Sequence, residues 1–468
     1  MTRAIMWFRR DIRLADNPAL LTALAEHSDV VPVFVVDPLL MSRSGAPRRA
    51  YMCEALNALD DAMGRALVYR YGDPLDVIPA LVAEVGASAV YAARDFAPYG
   101  SRRDAAVAER LSARGVPLRF VGSPYAVNPG SVTKDDGTSY SVFTPFSKRW
   151  LAHGWDQPLD APRDPNWVGA PTVPCEGRPP RPDVDFDLPA FTERAVHEQW
   201  AEFRDRGSDG LDGYDERRND PGVAGTSRMS TALRWGIVHP RQLLSDLRGG
   251  KAHDHFRSEI AWREFYGDVL FRFPDSGWRN LNRKMDAMVH DEGPVAEERF
   301  AAWCRGETGY PIVDAGMREL KQTGWMHNRV RMIVASFLVK DLHLPWQWGA
   351  RHFMSHLMDG DLASNSHGWQ WTAERAPTRP RTTACSIRLC RASATTRTVT
   401  MCVGSCPRWP ICRRRSFMRR VARAGECRWG MWRRSWIMRW SAMNHWLASK
   451  PSANPPHPLG SFSRHFWG

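Results

Sequence analysis

Through its first 125 residues the chain alternates short apolar runs with amphipathic stretches, and nothing else in the sequence limits its fold as much. Residues 4–8, 30–36, 67–69, 89–92 and 118–120 are runs rich in β-branched and aromatic side chains. Between them, residues 49–63, 74–85 and 104–113 carry apolar side chains at helical spacing. Apolar strands separated by helices belong to a parallel sheet covered on both faces. An α/β domain over residues 1–130 is therefore expected. No Gly-x-Gly-x-x-Gly follows the first run, so the dinucleotide fingerprint is missing.

Residues 131–192 read as an inter-domain linker laid on a surface, with prolines recurring from Pro158 to Pro189. From Glu193 the spacing turns helical and predicts helices over 193–206, 240–247, 255–271, 297–305, 313–323, 327–342 and 348–358. An all-α domain over 193–373 follows. A length of 468 residues with 43% hydrophobic content supports two such cores. No window approaches 18 apolar residues, and the chain runs directly into Met6-Trp7-Phe8-Arg9-Arg10. A membrane span and a signal peptide are both unexpected, which makes a cytoplasmic protein the expectation.

Charge breaks sharply near residue 374. Residues 374–468 hold 19 Lys/Arg against Glu374 and Glu426, whereas the first 373 residues hold 45 basic and 49 acidic side chains. The net charge of +13 thus belongs to the last fifth of the chain. Six of the nine cysteines (Cys385, Cys390, Cys402, Cys406, Cys412 and Cys427) lie there too, without any sustained period. A zinc ribbon would need a second pair to match Cys402-x3-Cys406, and none follows. A basic nucleic-acid arm is one reading. The preferred reading is a shifted frame that begins near Ala373 or Glu374.

Four polar clusters mark the helical half. Tyr214-Asp215-Glu216-Arg217-Arg218-Asn219 leads to Gly225-Thr226-Ser227-Arg228-Met229-Ser230, whose backbone N–H groups and hydroxyls suit a phosphate, or equally a helix cap. Glu259, Trp262, Arg263 and Tyr266 share a helix face that would suit a flat, polar-edged ring, or a plain amphipathic helix with a salt bridge. In Trp325-Met326-His327-Asn328-Arg329-Val330-Arg331-Met332, Asn328 can both donate to and accept from a base edge, while His327 reads as structural. Asp359-Gly360-Asp361-Leu362-Ala363-Ser364-Asn365 lacks the remaining ligands of an EF-hand, and instead suits a polar heterocycle and its sugar.

Taken in order with Met6-Trp7-Phe8-Arg9-Arg10-Asp11, these clusters resemble the photolyase/cryptochrome family, and within it the class I cyclobutane pyrimidine dimer photolyases. The resemblance runs from Met6 to Trp371, about four fifths of the chain. It implies a light-driven DNA repair lyase, active with reduced FAD on UV-damaged DNA as a monomer without a membrane. On that resemblance Tyr214, Thr226, Ser227, Arg228, Met229 and Ser230 surround the flavin's phosphates and ribityl chain. Asp359 and Asp361 reach the flavin and adenosine portions, Arg331 pairs with Asp359, and Asn365 faces the flavin N5. Glu259 and Asn328 bond the lesion edge, Trp262 and Trp371 pack on its bases, and Arg263, Arg329 and Met332 complete the mouth. An excited reduced flavin would lend one electron to the dimer and recover it after the ring splits. Donation from Glu259 to a thymine carbonyl requires a protonated, desolvated carboxyl. For an antenna, Phe34, Asp37, Arg49, Asp95 and Arg234 match positions that line an 8-hydroxy-5-deazaflavin pocket, with a reduced folate as the alternative. A signalling cryptochrome is the alternative function, and a repair-inactive nucleic-acid-binding remnant a further one; Asn328 beside Met332 favours dimer repair.

The chain departs from the family pattern in several places. Trp369 and Trp346 match two relay tryptophans, but the third position falls near Gly293, leaving Trp278 or Trp348 as substitutes. Ser366-His367 replaces Asn-Gly, bringing an imidazole that would pair with Asp359 or Asp361 or crowd the bend, and Thr231 replaces a proline. After Trp371 the family continues with Gly-Thr-Gly-Thr-Asp-Ala, which plausible codons for residues 374–381 spell in another frame. The helices that close the flavin cavity would then be missing.

Overall fold

The computed structural model describes residues 2–169 and 172–374. Strands β1 (Arg3–Phe8), β2 (Asp29–Val36), β3 (Val68–Tyr71), β4 (Ala89–Ala92) and β5 (Leu118–Phe120) form one parallel sheet in the order β3-β2-β1-β4-β5. Ala4 of β1 stands opposite Val30 on one side and Ala89 on the other, so β1 is central. Side chains alternate across it. Ala4, Met6 and Phe8 enter a core with α1 (Pro18–Glu26) and, beyond the short α2 (Pro38–Ser42), α3 (Ala46–Ala62). Ile5 and Trp7 enter the opposite core with α4 (Pro74–Val85) and α5 (Pro98–Ser112). Asn17, Asp37 and Asp73 each cap a helix whose first residue is proline, the chemistry that starts a helix cleanly.

The linker is more than a surface connector. Phe143, Phe146 and Trp150 repeat at helical spacing, and α6 (Phe143–His153) buries Phe146 and Trp150. That three-residue and four-residue spacing was readable in the sequence, but the prolines downstream masked it.

The helical half contains α7 (Glu193–Asp205), α8 (Tyr214–Arg217), α9 (Ser230–Trp235), α10 (Pro240–Ser245), α11 (Lys251–Arg272), α12 (Pro294–Arg305), α13 (Pro311–Thr323), α14 (Asn328–Ser336), α15 (Trp346–His356) and α16 (Leu362–Glu374). The expected helix over 327–342 breaks at Phe337 into a π-helical turn that ends at Asp341. Helix α16 starts just after Asp361, whose Oδ1 caps it by accepting from the Ser364 N–H at 3.1 Å.

Burial divides this half in two. Side chains of α7 to α11, such as Trp200, Phe256 and Phe265, continue the core of the sheet's α1/α3 face. Helices α12 to α16 have their own core around Trp303, Val334, Trp346 and Trp369. Polar ties complete the junction. The Arg241 guanidinium donates to the buried Asp16 carboxylate at 2.6 Å, and Glu193 accepts from the N–H groups of Leu14 and Ala15 at 2.9 and 3.0 Å.

Candidate active site

Helix α14 carries the polar motif, and its geometry sends neighbouring residues to different tasks. His327 caps it, its Nδ1 accepting the Arg329 N–H at 3.2 Å, a structural role that fits the sequence reading. Asn328 is exposed at the rim, with its Nδ2 3.9 Å from the Met332 sulfur one turn on. Arg331 reaches inward and forms a two-pronged pair with Asp359, at 3.1 and 2.8 Å.

Around the rim, Arg329 donates to Asn219 Oδ1 at 2.8 and 2.5 Å, and Arg218 pairs with Glu259 at 2.6 Å. Burial and the like charge of Arg218 pull the Arg329 guanidinium down, while Glu259 and Tyr214 oppose this. Tyr214 is buried under the Arg218 guanidinium at 5.4 Å, and burial pushes its phenol up. The desolvation expected of Glu259 is not found: its side chain is a third exposed and faces the Arg218 guanidinium.

Two neighbours on α11 are also placed differently from expectation. Arg263 does not join the mouth. Its guanidinium lies 4.8 Å over the Tyr125 ring and donates to the Leu233 carbonyl at 3.3 Å, on the side of Asp361. Trp262 remains partly exposed, but one of its faces is covered by Phe143, at 3.7 Å between centroids and 7° between planes. Trp371 is partly buried on α16.

The loop before α9 supplies the phosphate-type donors. Arg228 takes a left-handed φ of 56° and lies 4.4 Å over the Trp325 ring, while Met229 is buried at the helix start. Ser227 Oγ accepts from the Met229 N–H at 3.4 Å, and its carbonyl accepts from Gln199 at 2.9 Å. Among the described residues the Thr226 and Ser230 hydroxyls meet no protein partner, and Ser230 is exposed. Thr231 is buried within α9. Asn365 Nδ2 donates to the Ala350 carbonyl at 3.0 Å. His367 pairs with neither Asp359 nor Asp361. Its Nδ1 meets the Ala363 carbonyl at 2.8 Å and its Nε2 meets Ser276 Oγ at 2.8 Å.

The sheet has its topological switch at the C-terminal ends of β1 and β4, where α/β folds open a ligand crevice. Arg10 follows β1 there and donates to Asp361 at 2.7 Å. Arg234 and Arg48 both donate to the Gly360 carbonyl, at 2.8 and 3.3 Å. Burial opposes ionisation of Asp361, but Arg10, Arg234 and Arg263 outweigh it and hold the carboxyl well below the usual range. Burial, then the like charge of Arg10, lowers Arg234 to about 9. Phe34 and Asp37 lie at the end of β2, where Asp37 accepts from the Tyr99 hydroxyl; Asp95 is 3.6 Å from Arg103. Arg49 is partly buried on α3.

The aromatic core behind α16 holds Trp369 against Phe353 at 5.0 Å and Trp303 at 6.1 Å. Gly349 is required there, since a Cβ would come within 2.1 Å of the Trp369 ring. Buried Trp346 donates its indole N–H to Asn280 at 2.8 Å. Gly293 is an exposed helix cap, Trp278 is partly buried, and Trp348 packs on Phe300 at 5.2 Å. Arg218, Asn219, Arg10, Arg48, Phe143 and Trp303 were not singled out as site residues from the sequence. Arg218 and Asn219 stood inside one of the polar clusters, Arg10 inside the first motif and Phe143 in the aromatic spacing of α6, whereas Arg48 and Trp303 had no signal.

A doubly covered parallel sheet joined to a helical domain, with a half-buried Arg331–Asp359 pair behind an Asn-bearing rim, gives an α/β fold with a polar site in its helical half. Comparison with known proteins narrows this. The family model described as "DNA photolyase" matches residues 4–165, and "FAD binding domain of DNA photolyase" matches residues 256–391. The deoxyribodipyrimidine photo-lyase of a Synechococcus species is 38% identical over 402 residues, covering 79% of this chain and 80% of that one. A class III photolyase structure from Agrobacterium tumefaciens superposes with a TM-score of 0.72 at 36% identity, covering 80% of each chain. An archaeal photolyase structure from Sulfolobus tokodaii, described with two FAD molecules, gives 0.67 at 27% identity, covering 80% of this chain and 83% of that one. The chain belongs to the DNA photolyase family.

Proposed function

We propose that this chain repairs cyclobutane pyrimidine dimers in DNA with light, acting as a cytoplasmic monomer. The observation that carries the reading is α14 itself. Asn328 and Arg331 are three residues apart, about 4.5 Å of helix rise, yet one stands at the exposed rim and the other grips Asp359. A ligand edge at the rim and a cofactor at the Asp359 loop are thereby held within one helical turn. The residues present fit FAD: two unpartnered hydroxyls and Arg228 for its phosphates, Arg331–Asp359 and Asn365 for its ring end. Reduced FAD, when bound, supplies the light-driven electron.

The protein's own groups recognise and position the lesion. A dimer pairs poorly with the opposite strand, so its extrusion into the rim costs little. Asn328 can donate to one ring edge and accept from it. Glu259, held by Arg218 as an acceptor, suits the imide N–H of a thymine better than its carbonyl. The uncovered face of Trp262, with Trp371 and Met332, offers apolar packing. No helix among the described residues is long and apolar enough to cross a membrane.

For the antenna we propose the switch-point crevice. Arg234 Nη1 and Arg49 Nε are buried without a partner among the described residues, donors that suit the acceptor-rich edge of an 8-hydroxy-5-deazaflavin. The folate alternative has a cavity of about 480 Å³ lined by Arg94, Phe96, Phe120 and Phe271, large enough for a pterin.

The repair reading is tested by Asn328→His, measured as photorepair of an oligonucleotide with one defined dimer. A loss of roughly tenfold or more is expected, the size of one bidentate base-edge contact. Unchanged repair would overturn the lesion-edge role.

A further inference from the structure

We propose that Phe143, delivered by the linker helix α6, is a positioning residue that fixes the plane of Trp262 so that the indole's other face receives the extruded lesion. The proposal rests on the repair reading above and names a residue that the reading itself does not use. An indole has two faces, and Phe143 covers one of them at 3.7 Å between centroids and 7° between planes. The partly exposed remainder of the ring is what a base can reach.

Packing argues that Phe143 is a fixed wall and not a plug that swings aside. It meets Phe265 edge-on at 6.0 Å, and Phe146, one turn further along α6, meets the same ring at 5.1 Å. Phe146 and Trp150 are buried, so α6 is anchored along its length. Trp262 is buttressed in turn by Tyr266 at 5.3 Å and Phe265 at 5.8 Å. A flat ring held on three sides loses little freedom when a base stacks on it. An unsupported indole would have to be ordered at the moment of binding, which weakens the complex.

The test measures dark binding of the full chain to a duplex with one cyclobutane dimer and to the same duplex undamaged, so that no photochemistry enters. Phe143→Ala is expected to weaken dimer binding roughly three- to tenfold, the range of one aromatic pair, while binding of undamaged duplex stays the same. Phe143→Tyr, which keeps the ring, should restore it. Because Phe143 acts through Trp262, Phe143→Ala should add nothing in a Trp262→Ala background. Tighter dimer binding by Phe143→Ala would identify a plug and overturn the proposal. So would additive losses, which mean that Phe143 touches the lesion directly, or an equal loss on both duplexes, which means a general loss of structure. A wild-type chain with no preference for dimer DNA would overturn the repair reading itself, an outcome distinct from a preference that Phe143→Ala leaves intact.

Discussion

His367 shows how a single residue can leave the family pattern and still be absorbed by the fold. Its ring is buried, lies parallel to Tyr266 at 5.8 Å, and is spanned by Ala363 and Ser276. Burial, only partly offset by the Ala363 carbonyl, lowers it to about 4. The folded state therefore holds a neutral imidazole. The unfolded chain takes up a proton below about pH 6.5, so stability present above that pH is lost as pH falls toward 4. Between pH 7 and 5 this one group should cost about 2 kcal/mol. His367→Asn should remove that share of the acid sensitivity, read as the difference in urea midpoints of the two proteins at each pH. Parallel pH profiles would show that the imidazole is not the source. Such a residue is visible in the sequence only as an oddity. His367 could be flagged beside two aspartates, but its partner Ser276 lies in a distant 3₁₀ turn that no spacing announces. The Arg331–Asp359 pair was legible through the family resemblance that the short motifs carry, and the place of Asn328 through its position at a helix start. Arg218 and Phe143 were not, since each meets its partner only through tertiary packing.

Element by element, α11 is the hinge of the architecture. One of its faces presents Glu259 and Trp262 to the rim. Another uses Glu264 to accept from the N–H groups of Ala126 and Val127, both at 3.0 Å, and Asp268 to accept from Gly130 at 2.7 Å. These two carboxylates, one turn apart, strap the start of the linker to the helical half. Burial pushes Glu264 up to about 7, against the opposing pull of Arg263 and the two N–H groups. A carboxyl raised in the folded state favours folding most below its unfolded value near 4.5, and that contribution disappears as pH climbs through 7. The full loss would be about 3 kcal/mol. Glu264→Gln should flatten the alkaline side of the stability profile, measured as Tm at pH 5 and pH 8. Equal pH 5-to-8 changes in the two proteins would remove Glu264 from the account. The sequence conveyed α11 as an amphipathic helix, and its core positions followed from periodicity. That its polar face would be spent on a backbone strap could not be read, because the acceptors' partners are main-chain groups, which no side-chain pattern encodes.

At the scale of the whole molecule, the two-domain division legible in composition is softer than expected. Helices α7 to α11 share a continuous core with one face of the sheet, while α12 to α16 close around Trp303 and Trp369 by themselves. Periodicity locates helices but does not say which faces meet, so this division required the structure. Helix α16 ends at Glu374, where the composition turns basic and the expected frame shift begins; the tail that follows, residues 375–468, lies outside the described residues. The FAD-binding model continues to residue 391, while the Synechococcus relative is matched over only 80% of its own length. About a fifth of that relative is therefore unmatched by this chain. If the shift is real, a one-base change near the codons for residues 373–376 should restore a family-like ending. The restored protein should then keep flavin through gel filtration, and the present chain should retain at least tenfold less flavin per polypeptide. The physical reason is local. If Arg331–Asp359, Asp361 and the 225–230 loop hold the cofactor as proposed, loss of an opposing wall would expose it to water and raise its rate of escape. Equal retention by the two proteins would show that the described residues hold FAD without the restored ending, and would overturn the frame-shift account of the tail's effect.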